Sequence, residues 1–353
     1  MMHTVDLEID VTHAGDWAEP ARIAASVMLP DPALLPDRPL VCFAKPGGGY
    51  SRGYFTHALP GPGAGAQAEF HAQRGWIFVA LDNLGSGASS QHPPRELDIT
   101  HAVSAAQAAE EEILLRLANG VLDPDFPPVP QPVRLGIGQS VGALLTIVQQ
   151  ARHASYDGIA SLGYSALHSH PPTPPGEPPI VTSWFSRDLA PEQPGGVLNA
   201  AAVAKATAGA PQDAAWASLA WSFHYDDVPP DVVEQDLAHY EAIVAGNTSE
   251  AARDPAPWLS FTTTQEAARF VLTPGAIASE AAAVSVPVLA GMGERDLVVD
   301  PLGEARAFRS AASFDLFVCP RMGHMHNFAG TRALLWERIH HFGAWCAAAK
   351  GRL

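Results

Sequence analysis

The chain has 353 residues, 47% of them hydrophobic and 16% charged, which is apolar material enough for one large domain or for a domain carrying a substantial insertion. Lys and Arg total 21 against 37 Asp and Glu, a formal charge of −16, so the chain has no electrostatic reason to bind nucleic acid or an anionic membrane surface. The opening residues MMHTVDLEIDVTHAGDW lack a basic, apolar leader, and no apolar window reaches the length of a membrane span, so a cytoplasmic protein is expected.

In chain order, residues 5–11 (VDLEIDV) and 22–30 (RIAASVMLP) alternate apolar and polar side chains, as half-buried antiparallel strands do. Residues 39–44, 75–82, 133–138, 158–165, 286–293 and 314–320 are short continuous apolar runs, the pattern of strands buried on both faces of a parallel sheet. Helical windows lie between them at 64–74, 101–119, 141–153, 301–312 and 329–349. The series predicts an α/β protein with a mostly parallel, doubly wound sheet of about eight strands and an antiparallel start. Cys42, Cys319 and Cys346 are odd in number and far apart, which reads as reduced core thiols.

One interval departs from the alternation. Residues 167–283 open with the proline-rich HSHPPTPPGEPP, continue through Ala-rich helical windows at 198–208, 212–224 and 230–246, and break again at Pro255–Pro257. They predict a helical cap inserted after the sixth strand, over a core made of residues 1–166 and 284–353. Trp184, Phe185, Trp216, Trp221, Phe223, Tyr225 and Trp258 supply apolar area there, so a pocket for bulky hydrophobic groups is expected beneath it.

Two stretches match Gly-x-Ser-x-Gly, the turn that presents a serine nucleophile: Gly49–Gly53 around Ser51 and Gly138–Gly142 around Ser140. Such a turn needs a strand leading in, small flanking residues, and a helix that starts at once, so that its first amides face a developing anion. VRLGIGQSVGALLTIVQQ meets all three conditions and points to Ser140. Ser51 fails the last, because LPGPGAG follows soon and no helix is expected to start there. The run Pro46-Gly47-Gly48-Gly49 suits a different task, a backbone amide for an oxyanion hole, from Gly48 or Gly49, with the second amide from Val141. A plain glycine turn is the other reading of that run.

With these features in place the chain resembles the α/β-hydrolase superfamily over nearly its whole length. The order is a strand with a Gly-rich loop, then LDNLGSGASS after the fourth strand, then the Ser140 turn, a cap, an acid and a histidine. Asp82, Gly85, Gly87 and Ser89 fit the D-x-x-G-x-G-x-S turn common in that superfamily, a structural element near the pocket. The likeness is to esterase- and lactonase-like members with a large cap. One departure is KPGGG where many esterases have HGGG.

The resemblance implies the chain order Ser, acid, His. Asp296 stands at the G-x-x-D position after the seventh strand, ahead of Glu294, while Asp300 before Pro301 reads as a helix N-cap. Gly323-His324 fits the turn after the eighth strand, which favours His324 over His326 as base. His324 and His326 also form an H-x-H, but no third ligand stands at a suitable spacing, so neither a metal nor another cofactor is expected. Tyr50, Gln139, Trp216, Trp221, Trp258 and His326 are candidates to line the pocket. The expected function is hydrolysis of an ester, lactone or thioester through an acyl-enzyme on Ser140. Serine-dependent C–C hydrolysis, acyl transfer and a non-catalytic ligand-binding protein are the alternatives. The expected partner is a small-molecule substrate, with a homodimer possible and no nucleic acid or membrane.

Overall fold

The computed structural model describes residues 2–177, 212–244 and 256–352, with 212–217 and 239–244 described as backbone alone. Eight strands form one sheet: β1 (His3–Asp10), β2 (Arg22–Leu29), β3 (Leu40–Lys45), β4 (Ile77–Leu81), β5 (Val133–Gln139), β6 (Gly158–Leu162), β7 (Val288–Arg295) and β8 (Phe314–Gly323). Their order is β1-β2-β4-β3-β5-β6-β7-β8. The first two strands pair antiparallel, β2 runs antiparallel to β4, and all later pairings are parallel. Each predicted strand is present, because both signals used, alternation at one edge and continuous apolar runs in the middle, report burial directly.

The helices on the core are α1 (Gly53–Thr56), α2 (Gln67–Ala72), α3 (Ile99–Asn119) and α4 (Val141–His153). Four more lie between β6 and β7: α5 (Gln212–Phe223), α6 (Pro230–Val244), α7 (Gln265–Val271) and α8 (Ala278–Ala283). The last, α9 (Arg332–Ala349), closes the chain. Helix α3 starts where the Asp98 carboxylate accepts from the His101 amide at 2.7 Å and stops at Gly120, φ 66°. The window at 301–312 gives only a 3-10 segment, Pro301–Arg306, with Asp300 as its cap accepting from the Gly303 amide at 3.1 Å. The helical window at 198–208 lies outside the described residues.

Three helices were not expected. Helix α1 is a single turn after Ser51, which corrects the expectation that none starts there; Leu59 and Pro60 stop the turn from growing. Helices α7 and α8 are too short to show a period. Both pack on the α3–α4 side of the core, where Phe270, Val271, Ile277 and Ala281 join one continuous apolar cluster.

The sheet separates two apolar layers. Along β3, Val41 and Phe43 face the layer of α3, α4, α7 and α8, while Cys42 and Ala44 face the layer of α2 and α9. The three cysteines are buried free thiols. Among the described residues no helix is long and apolar enough to cross a membrane.

One charged group is taken into the core. Lys45 ends β3 with its Nζ 2.5 Å from Glu110 Oε1 of α3, both side chains buried. Lys45 also donates to the Tyr156 hydroxyl at 2.7 Å, that hydroxyl donates to Glu110, and Gln149 donates to Glu110 Oε2 at 2.8 Å. A buried pair gains little over an apolar replacement, but removing one member strands the other charge. Lys45→Met is therefore expected to lower unfolding free energy by about 3 kcal/mol, seen as a lower urea midpoint. Adding Glu110→Gln to that variant should recover part of the loss; a double variant no more stable than Lys45→Met would show that the charge on Glu110 is not the cause.

Candidate active site

The Ser140 turn joins β5 directly to α4. Ser140 has φ 54° and ψ −115°, a conformation that non-glycine residues adopt at a cost, and its amide donates to Leu162 O of β6 at 2.8 Å. The turn sits backbone on backbone against its neighbours. A methyl group on Gly142 would fall 2.0 Å from Lys45 O and 2.7 Å from Pro46 O, and one on Gly138 would fall 2.1 Å from Gly142 O. Only glycine fits at either place. The first amides of α4, starting with Val141, have no acceptor inside the helix and carry the positive end of its dipole.

This packing lays the loop after β3 alongside α4. The Cβ position of Gly48 is 3.2 Å from Val141 Cγ2, so Gly48 is the loop glycine beside the helix start. Gly49, at φ 83°, turns its carbonyl to the Ser260 amide at 2.9 Å. Beyond it, Tyr50 bridges to Leu259 and the Ser51 amide donates to Trp258 O at 2.9 Å. The Ser51 hydroxyl donates to Pro257 O at 2.6 Å and accepts from the Gly53 amide at 3.1 Å. That serine ties two loops together. Asp82 does similar work in the D-x-x-G-x-G-x-S turn, pairing with Arg52 and accepting from the Ala88 amide at 2.8 Å.

The acid and both histidines meet. Asp296 is buried, and its Oδ1 lies 2.7 Å from His324 Nδ1 while its Oδ2 lies 2.7 Å from His326 Nε2. The Leu297 amide donates to Oδ1 at 2.7 Å and the Gly293 amide to Oδ2 at 2.9 Å. Burial alone would raise this carboxyl; the two histidines, by charge and by hydrogen bonding, overcome that and hold it far below the usual carboxylate range. Glu294 is turned away and accepts from the Arg321 amide at 2.8 Å.

The two rings are distinguished by which nitrogen the acid takes. His324 uses Nδ1, and its Nε2 lies 3.3 Å from Gln139 Nε2, on the residue just before Ser140. Gln139 also donates to His324 O at 3.1 Å. The Cβ position of Gly47 is 2.2 Å from Gln139 Oε1 and 3.5 Å from Ser140 Cβ. The Ser140 turn, the loop at 47–49 and the far nitrogen of His324 thus share one place. His326 uses Nε2, and its Nδ1 is buried with no partner. Among the described residues no group of three or more His, Cys, Asp or Glu could hold a metal ion.

Helices α5 and α6 reach into this arrangement, which the sequence did not suggest. The last carbonyls of α5 accept from the histidine loop: His324 N to Ser222 O at 2.7 Å and Met325 N to Phe223 O at 2.9 Å. A methyl on Gly323 would fall 2.5 Å from Phe223 O, so this approach also requires glycine. The Phe223 ring stands 5.1 Å from the His324 ring. On the other side the buried Tyr50 hydroxyl donates to Asp236 of α6, whose second oxygen lies 2.8 Å from His224 Nε2. Thr263 Oγ1 lies 3.2 Å from the Cβ position of Gly48, another side chain the sequence did not flag. None of these pairings has a local signal, since the partners are far apart in the chain.

The remaining pocket candidates are dispersed. Trp221 lies under the Arg295 guanidinium, 4.6 Å from its ring centroid, and borders a cleft of about 740 Å³ between α5 and α6. Trp258 is half-buried and packs with the layer that holds Tyr50, Tyr54 and Phe55. The side chain of Trp216, and Trp184 and Phe185 entirely, lie outside the described residues.

No protein-family model matches the sequence, and no curated protein matches it. Solved structures do. Proline iminopeptidase of Mycobacterium smegmatis superposes with a TM-score of 0.58 at 15% identity, over 98% of this chain and 100% of that one. A thermophilic esterase from Thermogutta terrifontis gives 0.57 at 13% identity, over 96% and 99%. A haloalkane dehalogenase variant from Bradyrhizobium elkanii gives 0.54 at 15%, over 99% of both chains. At such identities the likeness is one of fold.

Tyr50→Phe would leave one oxygen of the buried Asp236 without its donor, a loss expected to cost about 2 kcal/mol in urea unfolding. Because Tyr50 adjoins Gly49, turnover should fall as well. Unchanged stability and unchanged turnover would show that this contact does not brace the glycine loop.

Proposed function

We propose that this chain, built on the α/β-hydrolase fold, is a serine hydrolase that cleaves a carboxylic ester, lactone or thioester. One observation carries the reading. Ser140 is held at φ 54° on a strand-to-helix turn whose preceding residue touches Nε2 of a histidine that is itself bonded through Nδ1 to a buried aspartate. The strain is supported by close packing on three sides, as at sites where a side chain must be presented. The fold by itself does not choose the reaction, since its structural neighbours include a peptidase, an esterase and a dehalogenase. Serine at position 140 favours acyl chemistry.

In this reading the Nδ1–H of His324 donates to Asp296, which leaves the Nε2 lone pair to take the Ser140 proton. The Ser140 oxygen attacks the substrate carbonyl. The amides of Val141 and Gly48 receive the oxyanion; Gly48 is preferred over Gly49 because it lies against Val141 and because the Gly49 carbonyl is anchored outward on Ser260. His324 then protonates the leaving group, and water activated by the same nitrogen releases the acyl group.

Residues 167–283 are proposed to act as the cap that selects substrates, with a preference for bulky hydrophobic groups over charged ones. The support is positional: this interval leaves after β6 and returns before β7, at the sheet edge where Ser140, Asp296 and His324 lie. Trp258→Ala should raise KM for a large ester and leave a short-chain ester little changed. An unaltered ratio of kcat/KM for the two esters would remove Trp258 from the specificity surface.

Ser140→Ala should abolish turnover and labelling by a fluorophosphonate probe without unfolding the protein, while Ser51→Ala retains both. Labelling that survives Ser140→Ala, or a folded Ser51→Ala variant equally inactive, would overturn the assignment. An ester panel run with and without alcohol acceptors separates hydrolysis from acyl transfer.

A further inference from the structure

The His326 ring has the same access to the acid as the proposed base, and the reaction sequence above leaves it without a task. It is 1% exposed, its Nε2 lies 2.7 Å from Asp296 Oδ2, and its Nδ1 is buried without a partner. We propose that His326 is a positioning residue: as a neutral ring it donates its Nε2 proton to Asp296 Oδ2, and so fixes the carboxylate with Oδ1 turned to His324 Nδ1. This rests on the reading of Ser140 and His324 as nucleophile and base.

The protonation state follows from satisfaction of donors. A carboxylate oxygen only accepts, so Nε2 must carry a proton. A second proton on Nδ1 would place a charged N–H in a dry site with nothing to receive it, which costs far more than burying a lone pair. His326 therefore stays singly protonated while His324 cycles. Both rings reach one carboxylate, yet only His324 turns its other nitrogen toward the Ser140 turn.

The geometry at Asp296 shows what His326 adds. Each oxygen has two donors: Leu297 N and His324 Nδ1 on Oδ1, Gly293 N and His326 Nε2 on Oδ2. Without His326, Oδ2 would keep one backbone amide while Oδ1 kept two donors. The carboxylate would be freer to rotate and a stronger proton acceptor toward His324. The titratable groups facing the pair are His324, whose ring stands 6.3 Å from that of His326, and the Tyr54 phenol, which accepts from the Asn327 amide at 3.1 Å. Burial pushes that phenol far up, so it stays neutral, and Asp236 and Arg332 act on it from further off.

The test uses the full chain with His326→Leu, which removes the donor, and His326→Gln, whose amide can replace it. In His326→Leu the acid limb of the kcat/KM profile for a small ester should move to higher pH by about half a unit or more, with kcat down about tenfold and KM little changed. His326→Gln should recover at least part of both. Independently of turnover, nitrogen NMR of histidine-labelled wild-type protein should show His326 neutral near pH 7, with its proton on Nε2. The proposal is overturned by superposed profiles for the Leu and Gln variants, by a Leu variant identical to wild type, or by a His326 ring protonated on Nδ1. If His326→Leu does not fold, the NMR tautomer decides. Ser140→Ala separates the two levels. A variant that keeps wild-type turnover overturns the serine reading itself, whereas a dead Ser140→Ala beside unresponsive His326 variants overturns only the role given to His326.

Discussion

The contact on which this structure most depends is one between two backbones. Gly142, in the first turn of α4, lies so near the carbonyls of Lys45 and Pro46 that no side chain fits between them. That approach sets the helix start against the loop leaving β3, and it braces the turn that holds Ser140 at positive φ. The loop at 47–49, the first amides of α4 and the serine are then neighbours because of packing, with no hydrogen bond needed to recruit them. The buried Lys45–Glu110 pair lies just behind the same joint and ties the end of β3 to α3. Close-packed interiors transmit displacement, so a shift at this joint would be felt at each candidate oxyanion donor.

The helices between β6 and β7 do more than cover the sheet edge. The C-terminal carbonyls of α5 accept from the amides of His324 and Met325, and Asp236 of α6 accepts from Tyr50 beside the glycine loop. The histidine loop and the glycine loop are thus each bonded to this helical layer from opposite sides. A layer anchored in this way cannot move as a rigid lid without disturbing both loops. Substrate selection and the geometry of the site are expected to be coupled through it.

The carboxylate of Asp296 is the polar counterpart of the glycine joint. Four donors converge on it in a buried setting, from two backbone amides and two imidazoles. An anion so satisfied stays ionised despite burial, which is the condition for holding one tautomer of His324. The division of labour between the two histidines comes from their surroundings. One turns its second nitrogen to Gln139 and the Ser140 turn; the other turns it into the protein interior.

Much of this was legible in the chain itself. All eight strands, the long helices α3, α4 and α9, the interruption after β6 and the strand–turn–helix context of Ser140 follow from periodicity and from glycine placement, because those signals report burial and backbone conformation within a few residues. The choice between the two Gly-x-Ser-x-Gly stretches could also be made locally, although the single turn of α1 after Ser51 was not foreseen. Short helices such as α7 and α8 escaped, since six or seven residues cannot display a 3.6-residue period. The ranking of His324 above His326 came from one preceding glycine. Only the folded chain decided what the second ring does, because both reach Asp296 and differ solely in what lies beyond it. The same holds for the Tyr50–Asp236–His224 contact and for Ser222 and Phe223 on the histidine loop. Those partners are separated by a hundred residues or more, or depend on which nitrogen faces which oxygen, and no pattern in a linear sequence encodes distances across the fold.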